Sequence, residues 1–141
     1  MKIHFENLSA DTPSGPTLAE TLLSIEADLT IVDRGQEIFS ETSFPVAELA
    51  YALCRWVSEA DQGEEFSFDS MSADPGLVNI VKRENGWSVT SAPAPGAAAC
   101  PIGREVLDRE IRRFAEKVRT DISRLGVDPY FIPEGIQFPS Q

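Results

Sequence analysis

Histidine, cysteine and clustered carboxylates are the side chains that most often carry chemistry near neutral pH. The 141-residue chain holds one histidine, two cysteines and 23 Asp and Glu residues. A single histidine excludes a His-rich metal site, and any Ser–His or Cys–His nucleophilic device would have to use His4. Cys54 lies in an apolar helical pattern with only Arg55 as a basic neighbour, so it reads as a small core residue, not an activated thiolate. Cys100 sits in a Pro/Ala/Gly stretch with no supporting base. A chain of this length needs no disulfide staple, and both thiols are expected to be free. Close carboxylates such as Glu64 with Glu65, or Glu26 with Asp28, suit Mg²⁺ or acid–base work, but calcium-loop spacing is absent and so many acids form such pairs by chance. The nine glycines stand singly, with no spacing that cradles a phosphate. The expectation is a protein that is not an enzyme, with no catalytic residue, cofactor or metal.

Charge is more informative. The net charge is −11, and it is unevenly placed. Residues 1–75 carry 15 acidic and 3 basic side chains, whereas residues 76–141 carry 8 and 9. Such a surface repels nucleic acid and anionic membrane and attracts a basic protein partner. Arg104, Arg109, Arg112, Arg113, Lys117, Arg119 and Arg124 look like a basic stripe, but five acids interleave with them. Glu105 with Arg109, and Asp108 with Arg112, have the i,i+4 spacing of a salt-bridged solvent face.

The elements that position these groups follow from changes of hydrophobic period. Lys2–Glu6 alternates as a short strand, and Asp11–Pro16 is a loop by composition. Leu23–Val32 alternates with Leu23, Ile25, Ala27, Leu29 and Ile31 on one face. Asp33–Gln36 turns, with Gly35 available for positive φ, and Glu37–Phe44 returns as the hairpin partner. With Ile38 and Phe44 turned inward, Glu26, Asp28, Glu37, Phe39 and Glu41 share the outer face. An aromatic ring among four carboxylates is the predicted partner-binding patch, in which charge steers and the ring anchors.

From Pro45 the period becomes helical, with Val46, Leu49, Ala50, Leu53, Trp56 and Val57 on one stripe. Ser58–Glu64 is a polar break. Glu65–Met71, Leu77–Lys82 and Trp87–Ser91 then read as a meander, turning at Asp74-Pro75-Gly76 and, with the favoured Asn-Gly type, at Glu84-Asn85-Gly86. Residues 92–103 form a connector. Arg104–Leu125 is the longest helix, with Val106, Leu107, Ile111, Phe114, Val118, Ile122 and Leu125 on its stripe and Gly126 as its cap. Residues 128–141 mix prolines with aromatics, which predicts an irregular tail packed back onto the domain. Both tryptophans are assigned to the core. The whole, 1–141, reads as one α+β domain: a mainly antiparallel sheet of about five to six strands with two helices on one face. Neither a signal segment nor a membrane span is visible, and a cytoplasmic location is expected.

The block Phe66-Ser67-Phe68, then Leu77 to Ser91 with Gly86-Trp87 at its hairpin, followed by a long helix, resembles small bacterial immunity proteins of polymorphic or contact-dependent inhibition systems. That resemblance implies a cytoplasmic protein, acidic where the toxin is a basic nuclease, that binds its toxin and occludes the active or substrate site. It transfers no residue set. A type III secretion chaperone is the alternative on size, acidity and α+β content, although such chaperones usually begin with a helix. A small acid-dependent enzyme is the third reading.

Overall fold

A computed structural model describes residues 1–10, 17–59, 63–70, 76–92 and 97–132. The elements are β1 (Lys2–Ala10), α1 (Leu18–Leu23), β2 (Ile25–Asp33), β3 (Gln36–Phe44), α2 (Val46–Glu59), β4 (Phe66–Ser67), β5 (Asn79–Arg83), β6 (Gly86–Thr90) and α3 (Arg104–Arg124). The α+β class stands. Among the described residues, the expected single sheet with two helices is corrected to two antiparallel three-stranded sheets, β1-β2-β3 and β4-β5-β6, and three helices.

The physical reason lies at the strand edges. Pro45 ends the first sheet by starting α2, and the outer edge of β6 is taken by part of the connector. Trp87 N–H donates to the Ile102 carbonyl at 2.8 Å, Ile102 N–H donates back to Trp87 at 2.9 Å, and Ala99 N–H donates to Val89 at 3.0 Å. Gly86 is required by this closure: at φ 144° a side chain there would meet the Ile102 carbonyl oxygen at 2.6 Å. The expected Asn-Gly turn is therefore not formed as such. The hairpin loop is Glu84-Asn85, and Gly86 already pairs with Arg83. At the β2–β3 turn the expectation holds, since Arg34 and Gly35 both have positive φ, as a two-residue primed turn demands.

Alternation builds the inner face of the first sheet. Ile25, Ala27, Leu29 and Ile31 of β2 are buried beside Ile3 and Phe5 of β1. The run assigned to a strand from Leu23 starts later, because Leu23 ends α1, whose Thr17 cap accepts from Glu20 N–H at 3.2 Å. Helices α2 and α3 pack on this face. Val46, Leu49, Ala50, Leu53, Trp56 and Val57 of α2 are all buried, as are Leu107, Ile111, Phe114, Val118 and Ile122 of α3. Val106 and Leu125 are corrected to exposed positions. Val106 is rotated about a quarter turn from Leu107, and Leu125 lies past the last helical residue.

Helix α3 also seals one edge of the first sheet. Ile3 N–H donates to Glu110 Oε2 at 2.7 Å, and the Ile3 carbonyl accepts from Arg113 Nη2 at 2.6 Å. The same Arg113 nitrogen bonds Glu110 Oε2 at 2.6 Å. Burial pushes the Glu110 carboxyl up, but Arg113, the Ile3 N–H and Lys2 together outweigh it and hold it below the usual carboxylate range.

Residues 97–102 of the connector thus extend the second sheet. Phe131 and Ile132 at the start of the tail are buried, with Arg119 Nε donating to the Ile132 carbonyl at 3.1 Å. The loop at 11–16 and parts of three other assigned segments (60–62, 71–75 and 93–96) lie outside the described residues, as does 133–141 of the tail. No helix among the described residues is long and apolar enough to cross a membrane.

Candidate functional site

The β2–β3 hairpin does not present the predicted patch as one surface. Ile38 has no register partner, because Ile31 pairs with Phe39 and Val32 with Glu37. This bulge advances β3 by one residue, so Ile38 and Phe39 are both buried. Phe39 is corrected from an outer anchor to a core ring, meeting Phe44 edge-on with centroids 5.7 Å apart. Glu41 pairs with the buried Leu29, which sets it on the inner side of the edge strand, yet it is exposed. Glu26 and Glu37 are exposed on the outer side.

Asp28 serves the fold. Its Oδ2 accepts from Asn7 Nδ2 at 2.8 Å and its Oδ1 from Ser43 N–H at 3.2 Å. Asn7 and Ser43 both adopt positive φ at register shifts on either side of β2, so one carboxylate clamps the irregularities of β1 and β3. Among the described residues no cation pairs with Glu26, Glu37 or Glu41.

The other candidates resolve simply. His4 is exposed beside a depression of about 380 Å³, shared with Phe5, Glu6, Asp28 and Thr30. The Cys54 thiol is buried and pushed up to about 12, by desolvation first and then by Glu116, which keeps it out of thiolate chemistry at neutral pH. Cys100 is a half-buried free thiol whose backbone N–H donates to Asp33 Oδ2 at 2.8 Å. That bond, with the N-terminal ammonium, holds the Asp33 carboxyl low against its burial. Among the described residues no group of three His, Cys, Asp or Glu side chains is placed to hold a metal ion.

A larger concavity, absent from the sequence reading, lies along the outer stripe of α2. It is a groove open to solvent, with a volume of about 580 Å³. Leu22 of α1, Tyr51, Ala52 and Trp56 of α2, and Phe68 supply its apolar surface. Glu48, Glu59, Glu64 and Asp69 contribute carboxylates, and Arg55 the one cation lining it among the described residues. Glu48 is itself buried and accepts from Ser70 Oγ at 2.6 Å. The Trp56 indole N–H donates to the Glu64 carbonyl at 3.1 Å, which holds the 64–69 segment against the helix. The signal that was present is the spacing of Tyr51, Arg55 and Glu59 at i, i+4 and i+8, on the face of α2 opposite its buried stripe. What joins it to Phe68 and Asp69 is tertiary, and no local pattern encodes that.

Arg104, part of the expected solvent face of α3, instead lies 4.2 Å from the centroid of Trp56 and 5.2 Å from that of Trp87 while bonding Asp108 at 2.8 Å. Elsewhere α3 carries i,i+4 and i,i+3 ion pairs at positions other than the two expected, Lys117 with Asp121 at 2.7 Å among them.

No curated protein and no solved structure matches the chain. A family model matches residues 1–124, which takes in every element from β1 to the end of α3, and the chain belongs to that family, a domain of unknown function, DUF7878.

Proposed function

We propose that the chain is an immunity-type protein, a non-enzymatic binder that neutralises a basic bacterial toxin domain in the cytoplasm by covering its active or substrate site. The observation that carries this reading is the set of exposed hairpin carboxylates, Glu26, Glu37 and Glu41, which no cation among the described residues opposes. Unopposed surface charge adds self-repulsion to the folded state, yet it speeds the approach of an oppositely charged protein by a factor of about 10 or more. The charge asymmetry of the chain points the same way, since the acid excess lies within residues 1–75. Steering and anchoring are separate tasks here. With Phe39 in the core, the hairpin steers without contributing an aromatic anchor.

The test is co-expression in a bacterial host with the product of the reading frame immediately upstream of this chain's own, the place where a toxin partner is expected. Relief of growth arrest and a 1:1 complex on size-exclusion chromatography are the expected results. Reversing Glu26, Glu37 and Glu41 to lysine together is expected to slow association, by a factor that shrinks between low and high salt because exposed charges are screened over about 8 Å at physiological ionic strength. Absence of both rescue and complex would sink the reading.

A further inference from the structure

The concavity along α2 combines an apolar floor with an excess of carboxylates, and that combination selects one kind of visitor. We propose that it is the anchoring pocket for a single arginine side chain of the basic partner, whose stem lies over Tyr51, Ala52 and Trp56 and whose guanidinium meets the carboxylates of Glu59, Glu64 and Asp69. The proposal rests on the toxin-binding reading and adds to it the place and chemistry of the close contact.

Three observations support it. First, the volume of about 580 Å³ falls within the roughly 300–1,000 Å³ of ligand pockets, which are mostly apolar with a few convergent polar groups. Second, the charges lining it are complementary to a cation: three exposed acidic residues, Glu59, Glu64 and Asp69, and the buried Glu48 line it together with one cationic residue, Arg55. Arg55 does not neutralise them. It and Glu59 form an exposed i,i+4 pair at 3.1 Å, a kind of contact that contributes little and exchanges readily with another cation. Third, the aromatic rings around this helix already hold guanidinium groups, Arg55 at 5.8 Å from the centroid of Tyr51 and Arg104 at 4.2 Å from that of Trp56. Arginine is favoured over lysine because its planar, weakly hydrated head stacks on rings and bonds carboxylates two at a time. The pocket differs from the open β3 edge, where two bulges and the carboxylates are the usual protection against strand addition.

The test uses the full chain, ¹⁵N-labelled, and the tripeptide acetyl-Leu-Arg-Leu-amide, with its citrulline counterpart as an uncharged isostere and its lysine counterpart as a point charge. The Trp56 indole N–H and the backbone amides of Tyr51, Ala52 and Arg55 are followed by NMR. Saturable shifts at these positions, with a Kd of about 1 mM or tighter and at least about tenfold weaker binding of the citrulline peptide, are expected. Ala52→Trp, which fills the pocket, is expected to abolish binding. Glu64→Gln is expected to weaken arginine binding severalfold without affecting the citrulline peptide, and Glu105→Gln on α3 is the unaffected control. Should Ala52→Trp fail to fold, the isostere comparison on the unaltered chain decides alone. Equal binding of arginine and citrulline, a preference for lysine, shifts centred on the hairpin, or no saturable shift would each overturn the proposal. Because the probe is a tripeptide, that failure leaves the rescue experiment standing. Rescue failing while arginine binds would instead remove the toxin reading and leave the pocket.

Discussion

The two edges of the first sheet carry charge in opposite ways. On β1, Glu110 and Arg113 are paired with each other and take both the N–H and the carbonyl of Ile3, so the edge is closed by groups that would be costly to bury alone. On β3, Glu37 and Glu41 face solvent without a cationic partner among the described residues, and bulges interrupt the ladder beside them. A carboxylate on the first edge is part of the fold, and one on the second is free to act on something else. Asp28 shows that sequence proximity to the second edge does not decide the matter, because it lies between Glu26 and Leu29 yet bonds both neighbouring strands.

The sharpest way to break this contrast is through Phe39, which belongs to the β3 edge by sequence and to the core by packing. Phe39→Ala is expected to destabilise by about 3 kcal/mol, the lower end of the range for emptying an aromatic site, because Phe39 keeps 8% exposure. Phe114→Ala, at a fully buried site, should lie nearer about 5 kcal/mol. Urea titration of both variants measures this. If Phe39→Ala left stability unchanged and weakened only binding, the ring would be an interface anchor and the two edges would differ less than the packing indicates.

The opposite edge is tested by Glu110→Gln, which keeps shape and removes charge. A loss of about 1.5–3 kcal/mol is expected at pH 7, the scale of hydrogen bonds to charged groups. The pH dependence has a definite sign. The folded-state carboxyl titrates below its ordinary value, so its contribution is complete above the unfolded pKa, near 4.5, and is lost as pH falls through the lower folded value. The glutamine variant should therefore show a flatter acid limb than the unaltered protein in denaturant titrations between pH 5 and 2. Parallel limbs would mean that this edge is closed by packing alone.

Much of this was legible in the sequence, and what was not has a common cause. The α2 stripe from Val46 to Val57 and the β2 alternation from Ile25 to Ile31 are local periodicities, and each forms as expected; the β5–β6 strands also pair, with the loop at Glu84-Asn85 in place of the expected Asn-Gly turn. The Ile38 bulge was not legible, because one unpaired residue in β3 reverses the facing of Phe39 while leaving the pattern Glu37-Ile38-Phe39 open to either phase. The division into two sheets was not legible either, since it depends on Ile102 closing β6 across 15 residues of chain. The pocket along α2 needs Leu22, Tyr51 and Phe68 to meet, which are three segments with no shared period.

Asp28→Ala comes next in size, at about 1–3 kcal/mol, because it removes the acceptor from Asn7 and from the Ser43 N–H at two positive-φ positions. Glu26→Ala, two residues away with an exposed side chain, is the matched control and should change stability by no more than about 0.5 kcal/mol. Equal effects would remove the distinction drawn between them.

The smallest effect on stability is expected where the largest effect on association is expected. Glu37→Lys and Glu41→Lys replace exposed carboxylates that hold no ion pair among the described residues, so each should shift stability by no more than about 0.5 kcal/mol. The sign should favour the variants slightly, because a positive charge relieves repulsion within an acid-rich half that carries only three basic residues. Against a basic toxin domain, the same reversals should slow association at low salt and leave dissociation nearly unchanged, since long-range steering acts before contact. Chemical denaturation and stopped-flow association on the same preparations separate the two quantities. A hairpin that steers gives unchanged melting with slowed, salt-sensitive association. Lost stability, or a slowdown that persists unchanged at high salt, would place these carboxylates with Glu110 among the groups that hold the fold.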